Sequence, residues 1–221
     1  MKYVKNIELK EVFDDNSLVL SDIETMMEHQ VGFAFNRKII TIAEHVQMGG
    51  LRCVQYPNEF AQYLSFIFDV NAETPINTYM EIGVDRGGTF FVTDSFLRSI
   101  NSSFQKSYAV DIKKKTIQWD EYAEKFDVEF ILGDSKKITP FEVDWCLIDG
   151  DHTYEGAKAD FEKMKNHAKY IAFHDIDIIH KQTNVKKLWE ELKPNYKHWE
   201  FRNKDSRFPT PIGIGVIKVK D

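Results

Sequence analysis

A strand, a glycine loop and a helix are encoded in Thr78-Tyr79-Met80-Glu81-Ile82-Gly83-Val84-Asp85-Arg86-Gly87-Gly88-Thr89-Phe90. The apolar residues up to Ile82 predict a buried strand, and the three glycines that follow permit a tight loop and the close approach of another molecule. From Phe90 onward apolar residues recur at helical spacing, so the free amides of a helix start point at the loop. This arrangement predicts a ligand-binding loop in an α/β protein.

The spacing of these glycines differs from the dinucleotide-binding fingerprint. No Gly-x-Gly-x-x-Gly is present, and an acid, Glu81, precedes the first glycine. An acidic side chain at the loop favours a cationic ligand group, such as an amine or a sulfonium. Because glycine-containing turns join strands to helices in many α/β domains, the loop alone leaves a purely structural interpretation open.

The composition is that of an ordinary globular chain of 221 residues, with 43% hydrophobic and 29% charged residues. A net charge of −6 argues against a general nucleic-acid binder, and the basic run Lys113-Lys114-Lys115 indicates a solvated helix start. The sequence shows neither a membrane-length apolar run nor the plan of a signal peptide. Its two cysteines, Cys53 and Cys146, suit a reducing compartment. We therefore expect a cytoplasmic protein.

The pattern of the chain changes near residue 75. Residues 1–75 show helical patches without strands and predict an N-terminal helical cap or lid. Residues 76–221 alternate strands with helices and predict a Rossmann-like domain. Helices are predicted from Thr153 to about Lys169 and from Asn184 to Lys193. Strands are predicted at Thr78–Val84, Ser107–Ile112, Val128–Leu132, Trp145–Ile148, Tyr170–His174, Trp199–Arg202 and Ile214–Lys220.

The fold class that follows is α/β, with a seven-stranded, mostly parallel sheet and helices on both faces. No helical pattern separates the last two predicted strands, so we expect the last strand to run antiparallel.

Acidic residues follow almost every predicted strand of the parallel part. Ligands bind outside the carboxyl ends of such strands, so these residues are candidates for a site. Each one alone could be a turn or cap residue. Together they predict a rim of carboxylates whose repulsion a cation or a donor-rich ligand would relieve. They are Asp111, Asp134, Asp149, Asp151, Asp175 and Asp177, with His174 beside the last two.

The densest group of reactive residues is Asp149-Gly150-Asp151-His152-Thr153. Asp149 and Asp151 could serve as a Mg²⁺ ligand and a general base, since Mg²⁺ accepts one or two carboxylates and keeps positions open for substrate oxygens. His152 could also be a base, because an unperturbed imidazole titrates near neutral pH. In the alternative interpretation Asp151 and Thr153 cap a helix, and His152 is a surface residue.

A known family shares these motifs. The chain resembles the class I S-adenosylmethionine-dependent methyltransferases, and within them the branch that contains macrolide-sugar and aminocoumarin-sugar O-methyltransferases and cephalosporin hydroxylase-type proteins. The resemblance covers residues 77–177 well, residues 195–221 by strand pattern and residues 1–75 poorly. Its motifs are Glu81-Ile82-Gly83-x-x-x-Gly87-Gly88-Thr89, Asp111, Gly133-Asp134-Ser135, Ile148-Asp149-Gly150-Asp151-His152-Thr153-Tyr154-Glu155-Gly156 and Ala172-Phe173-His174-Asp175.

The resemblance implies roles for individual residues. Glu81 and the glycine loop would hold the methionine part of the cofactor, Asp111 the ribose hydroxyls, and Asp134 with Ser135 the adenine. The full set of cofactor-binding residues that it implies is Glu81, Gly83, Val84, Gly87, Gly88, Thr89, Asp111, Ile112, Asp134, Ser135 and Asp149.

The resemblance also implies a catalytic and a metal-binding group. Asp149, His174 and Asp175 match the residues that bind Mg²⁺ in the sugar methyltransferases, although His174 stands where those enzymes have a carboxylate. Imidazole suits Mn²⁺ or other transition metals better than Mg²⁺. Asp151 matches the candidate base, and His152 or His174 would take the proton if no metal binds.

We therefore expect methyl transfer from S-adenosylmethionine to an oxygen atom of a small molecule, such as a sugar hydroxyl, with acid/base help or a divalent metal (Mg²⁺ or Mn²⁺). Two alternatives stay open: a non-catalytic cofactor-binding module, and a metal-dependent hydrolase or hydroxylase that uses Asp149, His174 and Asp175. The N-terminal aromatic residues could bury against the sheet or against a second subunit, so a homo-oligomer is also compatible with the sequence.

Overall fold

The computed structural model describes residues 55–115, 119–178, 184–203 and 212–220. No helix in these ranges has the length and apolar character needed to span a membrane. The predicted helical patches within residues 1–54, and the greater part of the predicted cap, lie outside the described residues.

A seven-stranded sheet forms the centre of the described chain, in the order β3-β2-β1-β4-β5-β7-β6. The strands are β1 (Thr78–Ile82), β2 (Lys106–Asp111), β3 (Val128–Leu132), β4 (Val143–Ile148), β5 (Ala168–His174), β6 (Lys197–Phe201) and β7 (Ile214–Lys218). Neighbouring strands from β3 to β5 pair in parallel, and β7 runs antiparallel to both β5 and β6. The predicted fold class, including the antiparallel last strand, is confirmed.

Helices precede, connect and follow the strands. They are α1 (Pro57–Glu73), α2 (Gly88–Ile100), α3 (Trp119–Phe126), α4 (Tyr154–Met164) and α5 (Val185–Leu192), with short 3₁₀ turns at Ser135–Lys137 and Lys193–Asn195. Side chains alternate between the two faces of each strand, so each face packs against its own set of helices. Helices α1 and α2 cover the face that carries Tyr79, Trp145 and Ala172, whereas α4 and α5 cover the face that carries Cys146 and Phe173.

The ends of several elements differ from the prediction. Strand β1 ends at Ile82 rather than Val84, because Gly83 turns the backbone to a φ of 90°. Helix α4 ends at Met164 rather than Lys169, because the amide of His167 bonds to the carbonyl of Met164 in a turn and β5 already begins at Ala168. Strands β4, β5 and β6 begin two residues earlier than predicted, and β2 one residue earlier. Strands β2, β6 and β7 also end earlier than predicted, at Asp111, Phe201 and Lys218.

From β1 the sheet extends to one side through β2 and β3 and to the other side through β4 and β5. Gly83 lies at this switch point, between β1 and β4. A Cβ atom at this position would stand 2.3 Å from the carbonyl oxygen of Asp149. The amide of Gly83 donates to the carbonyl of Val110 at 2.7 Å, and the amide of Asp149 donates to the carbonyl of Ile82 at 2.8 Å. The loops after β1, β2 and β4 therefore diverge from the point where the backbones of Gly83 and Asp149 are in contact. In open α/β sheets, ligands bind at such a point.

We expect Gly83→Ala to destabilise the protein by about 1–3 kcal/mol, the typical cost of a strained backbone conformation, and by more if the contact with Asp149 does not relax. Urea unfolding measures the effect. Gly133→Ala is the matched control, because a Cβ there meets nothing within 4 Å. Equal losses of stability in the two variants would contradict the close approach at Gly83.

Glu59 connects α1 to the segments on either side of the β6–β7 connection. It is fully buried, and its Oε2 accepts hydrogen bonds from the amides of Asn203 and Gly213, each at 3.1 Å. Burial raises the pKa of Glu59 to about 7, against the opposing influence of His174 and of the two amides, while Asp177 raises it further. In the folded state Glu59 is thus mainly protonated below about pH 7.

This raised pKa makes stability depend on pH. Between about pH 4.5 and pH 7 the unfolded chain loses the Glu59 proton and the folded chain keeps it, so the contribution of Glu59 to the free energy of unfolding falls as pH rises. Glu59→Gln has no proton to lose at this position, so its stability relative to wild type should increase as the pH rises. We expect the difference in the free energy of unfolding to grow by up to about 3 kcal/mol from about pH 5 to about pH 8. Urea unfolding at both pH values measures the gain. A difference between the two proteins that does not change with pH would contradict the assignment.

Candidate active site

A cavity of about 800 Å³ opens at the carboxyl ends of the parallel strands. Its walls come from the loops after five consecutive strands of the chain. These residues include Gly83 and Asp85 after β1, Asp111, Ile112 and Lys115 at and after the end of β2, Gly133 to Lys136 after β3, Asp149 to His152 after β4, and His174, Asp175 and Ile178 at and after the end of β5. The sheet therefore brings together residues that lie far apart in the chain.

Most of the predicted site residues line this cavity. They are Gly83, Asp111, Ile112, Asp134, Ser135, Asp149, Asp151, His152, His174 and Asp175. Glu81, Val84, Gly87, Gly88 and Thr89 do not contribute to its walls, and their role in cofactor binding stays a prediction. The carboxylate of Glu81 is buried and accepts a hydrogen bond from the hydroxyl of Tyr79 at 2.5 Å. Burial raises the pKa of Glu81 well above its usual range.

Asp111 fixes the part of the cavity next to β2. Its Oδ2 accepts from the amide of Asp85 at 3.0 Å, and its Oδ1 accepts from the amide of Lys113 at 2.9 Å. The neighbouring Ile112 is 67% exposed and also lines the cavity. One wall thus combines a fixed carboxylate with an apolar surface. Asp134 shapes the next loop, where its side chain accepts from the amide of Lys136 at 3.0 Å.

The sequence analysis did not predict two ion pairs at the rim of the cavity. Lys115 Nζ lies 2.7 Å from Asp85 Oδ1, and Lys136 Nζ lies 2.9 Å from Asp151 Oδ2. Each pair joins loops that follow different strands, so no local spacing signals it. The basic run that indicated only a solvated helix start thus contributes Lys115 to the cavity wall. The contact with Lys136 also lowers the pKa of Asp151, which makes that carboxylate a weaker base than the sequence suggested.

At the ends of β4 and β5, two imidazoles and two carboxylates form a cluster, which we call the imidazole–carboxylate cluster: Asp149, His152, His174 and Asp175. His152 Nδ1 lies 2.6 Å from Asp175 Oδ2, and its Nε2 lies 3.3 Å from Asp149 Oδ1. His174 Nδ1 lies 3.1 Å from one carboxylate oxygen of each aspartate. Opposite charges therefore alternate around the cluster.

Both rings of the cluster favour the protonated form. Both nitrogens of His152 face acceptors, since Nε2 also lies 3.2 Å from the carbonyl of Asp149, and only the imidazolium can donate from both. These contacts with Asp149 and Asp175 raise the pKa of His152 to about 10. Burial lowers the pKa of His174, but the same two carboxylates outweigh it and raise the value well above the usual range.

The two carboxylates show the reciprocal effect. Burial alone would raise the pKa of Asp149 and of Asp175, but His174 and His152 lower both. His174 is almost fully buried, and its Nε2 has no hydrogen-bond partner in the described part of the chain. His174 therefore has one ring nitrogen that faces two carboxylates and one, Nε2, that has no partner among the described residues, whereas both nitrogens of His152 face acceptors and Asp151 is paired with Lys136.

The predicted metal ligands do not form a metal centre in this arrangement. Within residues 55–115, 119–178, 184–203 and 212–220, no group of three or more His, Cys, Asp and Glu side chains is placed to hold a metal ion. His174 Nδ1 instead faces the oxygens of Asp149 and Asp175, so these atoms contact one another rather than a common centre. The metal prediction is not confirmed, and the chemistry below uses none.

Comparison with known proteins identifies the type of domain. The family model described as a methyltransferase domain matches residues 80–176, which span β1 to the turn after β5. A search of curated protein sequences gave no significant match. Several solved structures share the fold.

Three of these structures contain the cofactor or its product. The O-methyltransferase from Bacillus cereus, solved with S-adenosylhomocysteine, is 15% identical with a TM-score of 0.57, covering 90% of this chain and 97% of its own. The cofactor-bound Rv0187 from MTB is 12% identical with a TM-score of 0.58, covering 93% and 100%. TomG from Streptomyces achromogenes, an O-methyltransferase of tomaymycin synthesis solved with S-adenosylmethionine, is 10% identical with a TM-score of 0.53, covering 85% and 94%.

At these identities the solved structures establish a shared fold, and the family model adds the domain type. Together they confirm the resemblance to the class I S-adenosylmethionine-dependent methyltransferases at the level of the domain: residues 80–176 match a methyltransferase domain, and the described chain shares the fold of solved methyltransferases.

We expect His152 to remain an imidazolium at about pH 8, because its pKa is raised to about 10. Long-range proton–nitrogen NMR distinguishes a doubly protonated ring from a neutral one, and His152→Gln identifies the signal. A neutral His152 ring at about pH 7 would contradict the charge pattern described for the cluster.

Proposed function

We propose that this protein transfers the methyl group of S-adenosylmethionine to an oxygen atom of a small-molecule acceptor, such as a sugar hydroxyl. The observation that carries the proposal is the composition of the cavity. One end has the carboxylate of Asp111 beside the exposed Ile112, and the other has the imidazole–carboxylate cluster. The first end suits a nucleoside, and the second suits the removal of a proton.

The residues at the nucleoside end fit the cofactor in size and chemistry. Asp111 offers carboxylate lone pairs beyond those used by the two amides, which suits the ribose hydroxyls. Ile112 offers an apolar surface for the adenine, and Asp134 with Ser135 offers polar atoms at its edge. Gly83 lets the backbone approach the ligand at the boundary between the two ends.

The chemistry requires alignment and one proton acceptor. The bound cofactor supplies an activated methyl group, so the protein has to orient the acceptor oxygen and take its proton. The carboxylates of Asp149 and Asp175 favour positive charge at their end of the cavity. Without cofactor the two carboxylates favour the imidazolium form of His174. A sulfonium beside His174 would oppose their effect, so we propose that His174 loses its Nε2 proton when the cofactor binds and then takes the hydroxyl proton at Nε2.

The proton balance of this step is simple. The acceptor oxygen forms a bond to the methyl carbon and loses its hydrogen to His174, while the bond between carbon and sulfur breaks and its electron pair stays on sulfur. His152 keeps its proton and holds Asp149 and Asp175 in place. Asp151, paired with Lys136, shapes the loop rather than accepting the proton.

Calorimetric titration with S-adenosylhomocysteine tests the cofactor site. We expect binding by the wild-type protein, and a loss of roughly tenfold to a hundredfold in Asp111→Ala, because this substitution removes hydrogen bonds to a charged group. Asp69→Ala, at an exposed position of α1, is the control. The titration is repeated with Mg²⁺ and with Mn²⁺.

The other outcomes of this titration identify the alternatives. If the protein binds no S-adenosylhomocysteine but binds a transition metal tightly, the proposal fails and a metal-dependent hydrolase or hydroxylase is favoured. If it binds S-adenosylhomocysteine normally but methylates no compound in a broad panel of hydroxyl-bearing molecules, a non-catalytic cofactor-binding module is favoured.

The assignment of the base is tested with an acceptor found in that panel. We expect His174→Gln to lower kcat by about a hundredfold or more, the usual contribution of a general base. Asp151→Asn should lower kcat by less than about tenfold, since its carboxylate is engaged by Lys136. Steady-state kinetics with labelled cofactor measures both. A larger loss in Asp151→Asn than in His174→Gln would make Asp151 the base.

A further inference from the structure

A buried carboxyl lies behind the active site, on the first turn of α1. Glu59 is fully buried, and its Oε1 has no hydrogen-bond partner in the described part of the chain. Its Oε2 is held by the amides of Asn203 and Gly213. Burial of a carboxyl that lacks an ion-pair partner is costly, so packing alone does not explain an acid at this position.

The turn after β5 needs external support. Asp175 has a φ of 63°, in the left-handed region that costs about 1–3 kcal/mol for a residue with a side chain. The amide of Ile176 donates to the carbonyl of Gly213 at 3.3 Å, and the amide of Asp177 donates to the carbonyl of Ile212 at 2.8 Å. Residues 212 and 213 therefore hold the strained turn in place.

Gly213 connects Glu59 to the turn after β5. Its amide donates to Glu59, and its carbonyl accepts from Ile176, so one residue separates the carboxyl from the turn. The fit is close: a Cβ at Gly213 would stand 2.7 Å from the side chain of Ile176 and 2.9 Å from that of Asp177. A shift of Gly213 would thus pass directly to the turn.

We propose that Glu59 is a positioning residue of the active site, which acts through Gly213 to hold the turn that carries His174 and Asp175. The inference rests on the proposed function, because it assumes that these two residues take part in the reaction. It adds to the catalytic domain a residue from α1, which precedes the segment matched by the family model.

The electrostatics of this region agree with the inference. His174 counteracts the effect of burial on the pKa of Glu59, so the imidazole and the carboxyl influence each other inside the protein. A second brace acts on the same turn from β6, because Arg202 Nε lies 2.7 Å from Asp177 Oδ2. The turn is therefore held by Arg202 directly and by Glu59 through Gly213.

The test compares Glu59→Ala with Glu59→Gln, which keeps an acceptor for the two amides. Glu73→Ala, at the exposed end of α1, is the control. We expect Glu59→Ala to shift the imidazole NMR signals of His174, assigned with His174→Gln, while its affinity for S-adenosylhomocysteine stays within about threefold of wild type. Glu59→Gln and the control Glu73→Ala should both show the His174 signals of the wild-type protein.

Two results would overturn the inference. In the first, Glu59→Ala lowers the melting temperature and leaves the His174 signals unchanged. This result would show that Glu59 has a purely structural role. In the second, Glu59→Gln shifts the signals as much as Glu59→Ala does, so that the acceptor is not what positions the turn. If Glu59→Ala does not fold, Glu59→Asp replaces it, since a side chain shorter by one methylene cannot keep both amide bonds and should shift the same signals.

These readouts separate the two proposals. The His174 signals are measured without cofactor or acceptor, so they report on Glu59 even if the wild-type protein fails to bind S-adenosylhomocysteine. That failure would remove the proposed function and leave the positional effect of Glu59 measurable.

Discussion

The backbone of Asp149 lies directly against Gly83, and the geometry of the active site depends on this contact. A side chain at position 83 would stand within 2.3 Å of the Asp149 carbonyl, so only glycine permits β1 and β4 to end at the same level. The loops then separate, one towards Asp111 and the other towards His152 and β5. The cavity occupies the space between them, which explains why its two ends differ in chemistry.

Charge compensation is the second constraint on the site. Asp175 is buried and Asp149 is half-buried, and two carboxylates that face the same imidazoles repel each other unless cations lie between them. His152 and His174 provide these charges from within the chain. In the sugar methyltransferases that the sequence resembles, metal ligands occupy the matching positions, and His174 replaces one of the carboxylates. His174 thereby pairs with Asp149 and Asp175 as an oppositely charged partner.

Local patterns were sufficient to predict the sheet and to identify most of the candidate residues that line the cavity. Strand and helix periods are properties of neighbouring residues, and acids at strand ends converge because parallel strands end at one edge. For the same reason Asp111, Asp134 and Asp149 were identified correctly as cavity residues. The end of α4 was predicted too late, because nothing in the local pattern separates its last turn from the turn that leads into β5.

Contacts between distant parts of the chain were beyond this kind of prediction. The pairs Lys115–Asp85 and Lys136–Asp151 join loops that meet only after the sheet has formed. The same holds for Glu59, whose partner amides follow it by more than half of the chain. The protonation of His152 also depends on Asp175, a residue of another strand end. Sequence reasoning therefore found which residues meet at the site but not which charges they carry there.

A crystal structure of the complex with S-adenosylhomocysteine tests the central claim most directly. The account predicts that the ribose hydroxyls lie within hydrogen-bond distance of Asp111, with the sulfur at the end of the cavity that holds Asp149 and His174. A ligand bound in the reverse direction, with adenine against the imidazole–carboxylate cluster, or bound outside this cavity, would contradict it.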